Sequence, residues 1–186
     1  MRSILPLVLM LFVPPMVMAD IHKEAQVCEE SGQICFLWWP KLPEIRGWHQ
    51  DVESSYRYRF NAQVPDQYTF ANAEAVMYAN AEYQDASTEA QTLEAFIATS
   101  QQQFIDAVPY KVDVSKTGEF TSKGKQTFFS YAFLPEGEGN WEQVSYAEDY
   151  DHDGNKYYII FVLSARSKEG YEKNIDAYNE FISQYQ

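Results

Sequence analysis

Three aspartates at alternating positions are the residues best suited to chemistry in this sequence. They are Asp149, Asp151 and Asp153, and the segment that contains them reads D-x-D-x-D-G. An EF-hand calcium loop opens in this way, but it also needs a helix on each side and a bidentate Glu at its twelfth position. Counting from Asp149, the twelfth residue is Ile160, and the flanking stretches WEQVSYA and YYIIFVLSA are typical of strands. The sequence therefore excludes an EF-hand.

Two interpretations of this segment remain. The favoured one is a plain hairpin loop, with Asp153-Gly154 or Gly154-Asn155 supplying the positive φ and all three aspartates exposed to solvent. The other is a calcium site of different geometry, in which the same three carboxylates bind the ion with help from Glu148, Asn155 or backbone carbonyls. Repulsion between crowded carboxylates favours ion capture. In water it amounts to about 1 kcal/mol per pair, which does not force binding.

The sequence supports no other reaction centre. The three histidines lack a metal-binding partner at helical spacing, and neither a nucleophile elbow nor a phosphate-binding loop occurs. With 27 acidic residues, chance pairs of carboxylates are expected, so a pair alone does not indicate a glycosidase. We therefore predict no catalytic residue and no cofactor apart from the calcium alternative, and we expect a protein that is not an enzyme.

Cys28 and Cys35 are the only cysteines, and we expect them to form a structural disulfide. An isolated pair in an exported protein is usually bridged, whereas a redox-active pair favours C-x-x-C at a helix start. With a two-residue turn at Ser31-Gly32, Cys28 would lie directly opposite Cys35 in a hairpin, within reach of a disulfide bond. Closing so short a loop stabilises a fold by about 2–3 kcal/mol in the chain-entropy model.

Residues 1–19 have the features of a cleaved export signal. Arg2 precedes the apolar run ILPLVLMLFVPPMVM, and Val17 and Ala19 are small residues where a signal peptidase needs them. The run is short and rich in Pro for a membrane span. We expect a mature chain that begins at Asp20, forms a single domain over residues 20–186 and works in the periplasm or outside the cell.

The charge balance narrows the class of partner. The sequence has 14 basic and 27 acidic side chains, a net charge of −13. Loss of Arg2 with the export signal would leave 13 basic side chains and a net charge of −14. Such a chain repels nucleic acid and anionic membranes, so we expect neither as a partner. The charge suits a basic protein instead.

Hydrophobic periodicity predicts the elements that carry these residues. SSYRYRF alternates apolar and polar residues as a half-buried strand does, and AEAVMYANAEY is the next strand candidate, although its alanines leave a helix as a competitor. Three-and-four spacing predicts helices in STEAQTLEAFIATSQQQFIDAVP, capped by Thr88 or Thr92, and in SKEGYEKNIDAYNEFISQY. Four strands are predicted between them, namely Tyr110–Val114, Gln126–Phe133, Trp141–Tyr146 and Tyr157–Leu163. This order predicts an α+β domain, a mainly antiparallel sheet flanked by helices.

The same order resembles the PsbP-like fold, to which an extrinsic photosystem II protein and a Ran-binding nuclear import factor belong. The matching segments are LPEIRGWHQD, AVMYANAEY before the helix TLEAFIATSQQQF, and the closing YYIIFVLSARSKEGYEKNIDAYNEFISQY. The resemblance covers Phe36 to Tyr185 and leaves out the hairpin of residues 28–35. It implies an α-β-α sandwich in a small bacterial exported protein. It also implies binding or assistance rather than catalysis, because the family shares no catalytic residues.

Three functional hypotheses follow. The leading one is an exported, non-enzymatic binding or accessory protein of unknown ligand, for which the 14 Tyr and 12 Phe residues could supply a binding surface. The second is an acidic inhibitor or immunity-type protein that blocks a basic enzyme through charge complementarity. The third is a small hydrolase with an unrecognised carboxylate site, which a deep pocket lined by two or more carboxylates would favour.

Overall fold

The computed structural model describes residues 21–28, 32–88 and 92–186, which form nine strands and three helices. The predicted export signal lies outside these ranges. In chain order the elements are β1 Ile21–Val27, β2 Ile34–Pro40, β3 Trp48–Gln50, α1 Val52–Tyr58, β4 Asn61–Pro65, β5 Ala75–Gln84, α2 Leu93–Ala107, β6 Val112–Thr121, β7 Thr127–Pro135, β8 Trp141–Tyr150, β9 Lys156–Ala165 and α3 Lys168–Gln184. No helix of the described ranges is long and apolar enough to cross a membrane.

All nine strands belong to one antiparallel sheet. The main path runs β1-β2-β5-β9-β8-β7-β6. β5 is paired along its whole length with β9, and its other edge is shared between β2 at one end and β4 at the other. The predicted α+β class with a mainly antiparallel sheet is confirmed.

The two faces of the sheet are covered by different helices. In β9, Tyr157, Ile159 and Phe161 belong to the cluster under α3, whereas Tyr158 and Val162 belong to the cluster under α2. This alternation follows from the two-residue period of a strand. Because both faces are buried, β9 reads as a continuous apolar run in the sequence. The α-β-α arrangement that the resemblance implied is therefore present.

The helix caps agree with the sequence signals. Of the two predicted caps for α2, Thr92 is the one used, and its side chain accepts a hydrogen bond from the backbone N–H of Ala95 at 3.2 Å. Ser167 caps α3 in the same way, at 3.0 Å from the N–H of Gly170. Each cap satisfies a backbone donor that the first turn of a helix leaves free.

The predicted strand in SSYRYRF is wrong, because these residues form most of α1. Asp51 precedes the segment and accepts a hydrogen bond from the N–H of Ser54 at 2.9 Å, which starts the helix. Arg59 then adopts a left-handed conformation, with φ of 64°, which ends it. A run of seven residues is short enough to match both periods, so the cap decides the conformation.

The predicted disulfide is confirmed, but the predicted register of its hairpin is wrong. Cys28 and Cys35 are bonded, with their Cα atoms 5.8 Å apart. Gln26 is the partner of Cys35 in the β1–β2 ladder, and the backbone N–H of Cys28 donates to the carbonyl of Gln33. The bridge therefore joins two residues that are diagonal across the hairpin. Residues 29–31, including the predicted turn residue Ser31, lie outside the described ranges.

Candidate functional site

A cleft opens on the α2 side of the sheet, where β5, β9 and β8 lie side by side. Val76, Ser164 and Glu142 are aligned in register across these three strands and form its floor. The volume is about 280 Å³. The other lining residues come from α1 and the turn after it, the segments before β5 and β8, β5 itself and the residue after β9; they are Tyr58, Phe60, Phe70, Ala73, Glu74, Tyr78, Asn140 and Arg166.

Four aromatic rings form one side of the cleft, and we call Tyr58, Phe60, Phe70 and Tyr78 the aromatic wall. Phe60 stacks on Tyr78, with ring centroids 4.4 Å apart, and on Tyr58 at 5.8 Å. Phe70 lies 5.1 Å from Tyr58 and 5.5 Å from Phe60. The rings support one another, so the wall is held in place without a ligand.

Asp51 explains how chain segments far apart in the sequence build this wall. Its Oδ1 accepts the hydrogen bond that caps α1, and its Oδ2 accepts one from the backbone N–H of Phe70 at 2.9 Å. Burial would raise the pKa of Asp51, but the hydrogen bonds from Phe70 and Ser54 outweigh it and lower that pKa. One carboxylate thus fixes the helix that carries Tyr58 and the loop that carries Phe70.

Glu142 is the buried acidic group of the cleft, with 5% of the residue exposed. Its Oε1 accepts a hydrogen bond from the hydroxyl of Ser164 at 2.7 Å, and that hydroxyl oxygen accepts one from Nδ2 of Asn140 at 3.2 Å. Burial raises the pKa of Glu142 from 4.5 to about 7, although the hydrogen bond from Ser164 opposes the rise. The pKa of Glu142 therefore lies near neutral pH rather than in the ordinary range of a carboxyl group.

Tyr78 faces Glu142 from the aromatic wall. Burial and, secondarily, the charge of Glu142 raise the pKa of Tyr78 well above 10, so its hydroxyl stays neutral in the physiological range.

The rim of the cleft is charged. Arg166 donates a hydrogen bond to the carbonyl of Ala71, and Glu74 accepts one from the hydroxyl of Ser167.

Asp151, from the D-x-D-x-D-G segment, organises the turn between β8 and β9. Its Oδ1 accepts hydrogen bonds from the N–H groups of Asp153 and Asn155, both at 2.9 Å, and its Oδ2 accepts from Asn155 Nδ2 and the hydroxyl of Tyr157. Burial opposes ionisation, but these hydrogen bonds outweigh it and lower the pKa of Asp151. Gly154 has φ of 80°, so the predicted glycine turn is confirmed.

The predicted exposure of the aspartates is right for Asp153 and wrong for the other two. Asp151 is 8% exposed and Asp149 is 4% exposed. Asp149 lies inside β8, which extends further than predicted, and its Oδ2 accepts a hydrogen bond from the hydroxyl of the buried Tyr185 at 2.7 Å. The net effect on the pKa of Asp149 is a rise, because burial outweighs the opposing hydrogen bonds from Tyr185, Tyr150 and Gln126. Asp149 thus joins the C-terminal end of α3 to the sheet.

The three aspartates do not converge on one point. In the described part of the chain, no three His, Cys, Asp or Glu side chains lie close enough together to hold a metal ion. The carboxylates of Asp149 and Asp151 accept hydrogen bonds from other parts of the chain, so both have a structural role in the fold. Calcium binding by Asp149, Asp151 and Asp153 stays a prediction that calls for a direct test.

The sequence patterns did not indicate a site at the cleft residues. Glu142 follows Trp141 in a strand that is buried on both faces, and a carboxylate in such a strand is a signal that could have been used. The aromatic wall has no comparable signal, because Tyr58 and Phe70 come from a helix and a loop that only the tertiary structure brings together.

No family model matches the sequence, and no curated protein matches it. Among solved structures, a mutant of the protein Mog1 is similar with a TM-score of 0.39 and 9% identity, over 87% of this chain and 86% of that chain. A similarity this low carries no argument about function. The PsbP-like resemblance therefore stays a prediction at the level of the family.

Proposed function

We propose that the protein is a non-enzymatic binding or accessory protein and that the cleft beside Glu142 is its ligand site. The observation that carries this proposal is a cavity with an aromatic wall that ends on a buried carboxyl group. Small-molecule sites combine apolar walls with a few placed polar groups in this way. Ser164 and Asn140 supply further hydrogen-bonding groups next to that carboxyl.

The proposal places the protein outside the cytoplasm. Two features support export: the apolar run with its small residues before Asp20, and the Cys28–Cys35 disulfide, since such bonds persist mainly in oxidising compartments. N-terminal sequencing of the protein recovered from its native host should begin at Asp20 or within a few residues. Recovery of the full chain from the cytoplasm, starting at Met1, would refute export.

The ligand site is tested by blocking the cleft. Asn140 is exposed at its rim, so Asn140→Trp should fill the opening without disturbing the core. The matched control is Glu138→Trp, in the same loop but not part of the lining. Each protein is incubated with a small-molecule extract of the cell envelope, and retained molecules are identified by mass spectrometry. We expect retention by the wild type and Glu138→Trp and its loss in Asn140→Trp. Equal retention by all three would refute the cleft as the site.

A small hydrolase is the second candidate, because two carboxylates, Glu74 and Glu142, line the cleft. A carboxyl group with a pKa of about 7 can act as a general acid at neutral pH. The hydrolase candidate predicts turnover of a chromogenic ester or glycoside that disappears in Glu142→Gln. The binding proposal predicts no turnover by either protein.

The hypothesis that the protein is an acidic inhibitor of a basic enzyme rests only on its net charge of −13. It predicts rapid and salt-sensitive association with one basic protein. A pull-down from envelope extract at low and high salt tests it. Recovery of one basic enzyme, with Asn140→Trp as effective as the wild type, would favour the inhibitor over a cleft-binding protein.

A further inference from the structure

The charges of the cleft favour a positive ligand. Its lining includes two carboxylates, Glu74 and Glu142, against one guanidinium, Arg166. Arg166 already donates a hydrogen bond to the carbonyl of Ala71. When both carboxylates are ionised the lining therefore has an excess of one negative charge, within a chain whose net charge is −13. An anionic ligand would meet repulsion from both the cleft and the protein as a whole.

The aromatic wall favours the same class of ligand. The faces of Phe and Tyr rings carry partial negative charge and attract cations within about 6 Å, most strongly where water is excluded. Phe60, Phe70 and Tyr78 also offer apolar area for a hydrophobic group. A cavity of about 280 Å³ matches the size of a compact organic molecule.

We propose that the cleft binds a small organic ammonium ion with an apolar group, its nitrogen paired with the Glu142 carboxylate and its apolar group on the aromatic wall. This inference rests on the proposed function, because it takes the cleft to be a ligand site. It adds the chemical class of the ligand. Ser164 keeps its hydrogen bond to Oε1 and so holds the carboxylate in place while the ammonium group approaches.

Binding of this kind displaces the proton from those molecules in which Glu142 is protonated. The other titratable or charged groups near that carboxyl are Tyr78 on β5, Tyr146 on its own strand, and Glu74 and Arg166 at the rim. Burial raises the pKa of Tyr146 to about 12 and that of Tyr78 well above 10, so neither changes its charge near neutral pH. With a Glu142 pKa of about 7, affinity for a cation should rise about tenfold between about pH 6 and about pH 8.

Three probes of similar shape and different charge test the proposal. They are phenethylamine, 2-phenylethanol and 3-phenylpropanoate, each titrated into the protein and followed through the backbone amide NMR signals of the cleft residues. We expect phenethylamine to bind most tightly and to gain about tenfold in affinity from about pH 6 to about pH 8. Glu142→Gln should remove both the preference for the amine and its pH dependence.

Two further variants complete the design. Glu148→Gln removes a carboxylate of the same strand that pairs with Lys156 outside the cleft, and it should bind the amine as the wild type does. Asn140→Trp should block the amine whether or not Glu142→Gln folds.

The outcomes separate the ligand class from the proposed function. If the alcohol or the acid bound as tightly as the amine or more tightly, the proposal of a cationic ligand would be wrong, although the cleft would still be a ligand site. The same conclusion would follow if affinity for the amine decreased as the pH rises. If none of the three probes bound at millimolar concentration, the proposal of a cationic ligand would be wrong. The extract experiment with Asn140→Trp would then show independently whether the cleft is a ligand site.

Discussion

Glu142 in the cleft and Asp151 in the β8–β9 turn are both buried acidic residues of one hairpin, yet their surroundings differ. Asp151 accepts four hydrogen bonds, which lower its pKa despite burial. Among the described residues Glu142 has one hydrogen-bond partner, the hydroxyl of Ser164, and burial raises its pKa to about 7. A carboxylate whose two oxygens both accept several hydrogen bonds from the protein has a structural role. A buried carboxyl group with spare capacity can bind a proton or a ligand at neutral pH.

The comparison corrects a natural first impression of the sequence. The D-x-D-x-D-G segment attracts attention because its acidic residues recur at every second position. Glu142 is an isolated carboxylate in a strand. Spacing along the chain does not show how many donors each oxygen will meet, and that number decides which group is held as a permanent anion.

The largest effect is expected from Asp149→Ala combined with Asp151→Ala. The double variant removes the carboxylates that accept several buried hydrogen bonds, including those from the hydroxyls of Tyr185 and Tyr157, so it should lose about 4 kcal/mol of unfolding free energy. For a chain of this size that loss lowers the melting temperature by about 8–16 °C. The control Asp153→Ala, at an exposed position, should stay within about 0.5 kcal/mol. A double variant as stable as the control would remove the structural role assigned to the turn.

Glu142→Gln should change how stability depends on pH. The folded-state pKa of Glu142 is raised, so the unfolded chain loses its proton first, and the wild type loses stability as pH rises from 4.5 to about 7. The loss should approach about 3 kcal/mol. Glu142→Gln cannot ionise, so it should lack this component and be more stable than the wild type at about pH 8. Denaturant unfolding across the pH range measures both curves, and parallel curves would show that Glu142 is not buried as described.

Ser164→Ala should produce a smaller shift in the same property. The Ser164 hydroxyl donates to the Glu142 carboxylate and lowers its pKa, so its removal should raise that pKa above about 7. The matched control is Ser130→Ala, which breaks a buried hydrogen bond to Ser145 that does not involve Glu142. A Glu142 titration midpoint, measured by NMR, that moves equally in both variants would argue against a specific role of Ser164.

Calcium should have the smallest effect. Both oxygens of Asp151 already accept hydrogen bonds, so an ion would have to displace them. We expect the wild type to melt at the same temperature in chelator and in millimolar calcium. Bound calcium at a hundredfold over its Kd would instead add about 2.7 kcal/mol. A calcium-dependent rise that is absent from the Asp149→Ala, Asp151→Ala variant would establish the metal site.

The sequence was informative wherever a local rule matched the tertiary structure. The apolar spacing of α2 and α3 and the apolar run of β9 were sufficient because each element buries the face that its period indicates. The strand predicted in SSYRYRF failed because the cap at Asp51 outweighs a short alternation. The hairpin register failed because Cys28 and Cys35 bond diagonally rather than directly across the ladder.

The cleft could not be predicted from the sequence, for a different reason. The hydrogen bonds of Asp51 bring Tyr58 and Phe70 together from either side of β4. The alignment of Glu142 with Ser164 depends on the register of β8 against β9. Long-range pairings of this kind leave no mark in the spacing of residues along the chain.

The most direct test of the account is an NMR pH titration of wild-type protein that follows the side-chain carboxyl carbons of Glu142 and Asp151. The account predicts an apparent pKa of about 7 for Glu142 and a pKa below the ordinary 3.8 for Asp151. Titration of Glu142 near 4.5, as for a carboxyl group in water, would contradict it. In that case the cleft would hold a permanently ionised carboxylate at neutral pH, and the contrast with Asp151 would disappear.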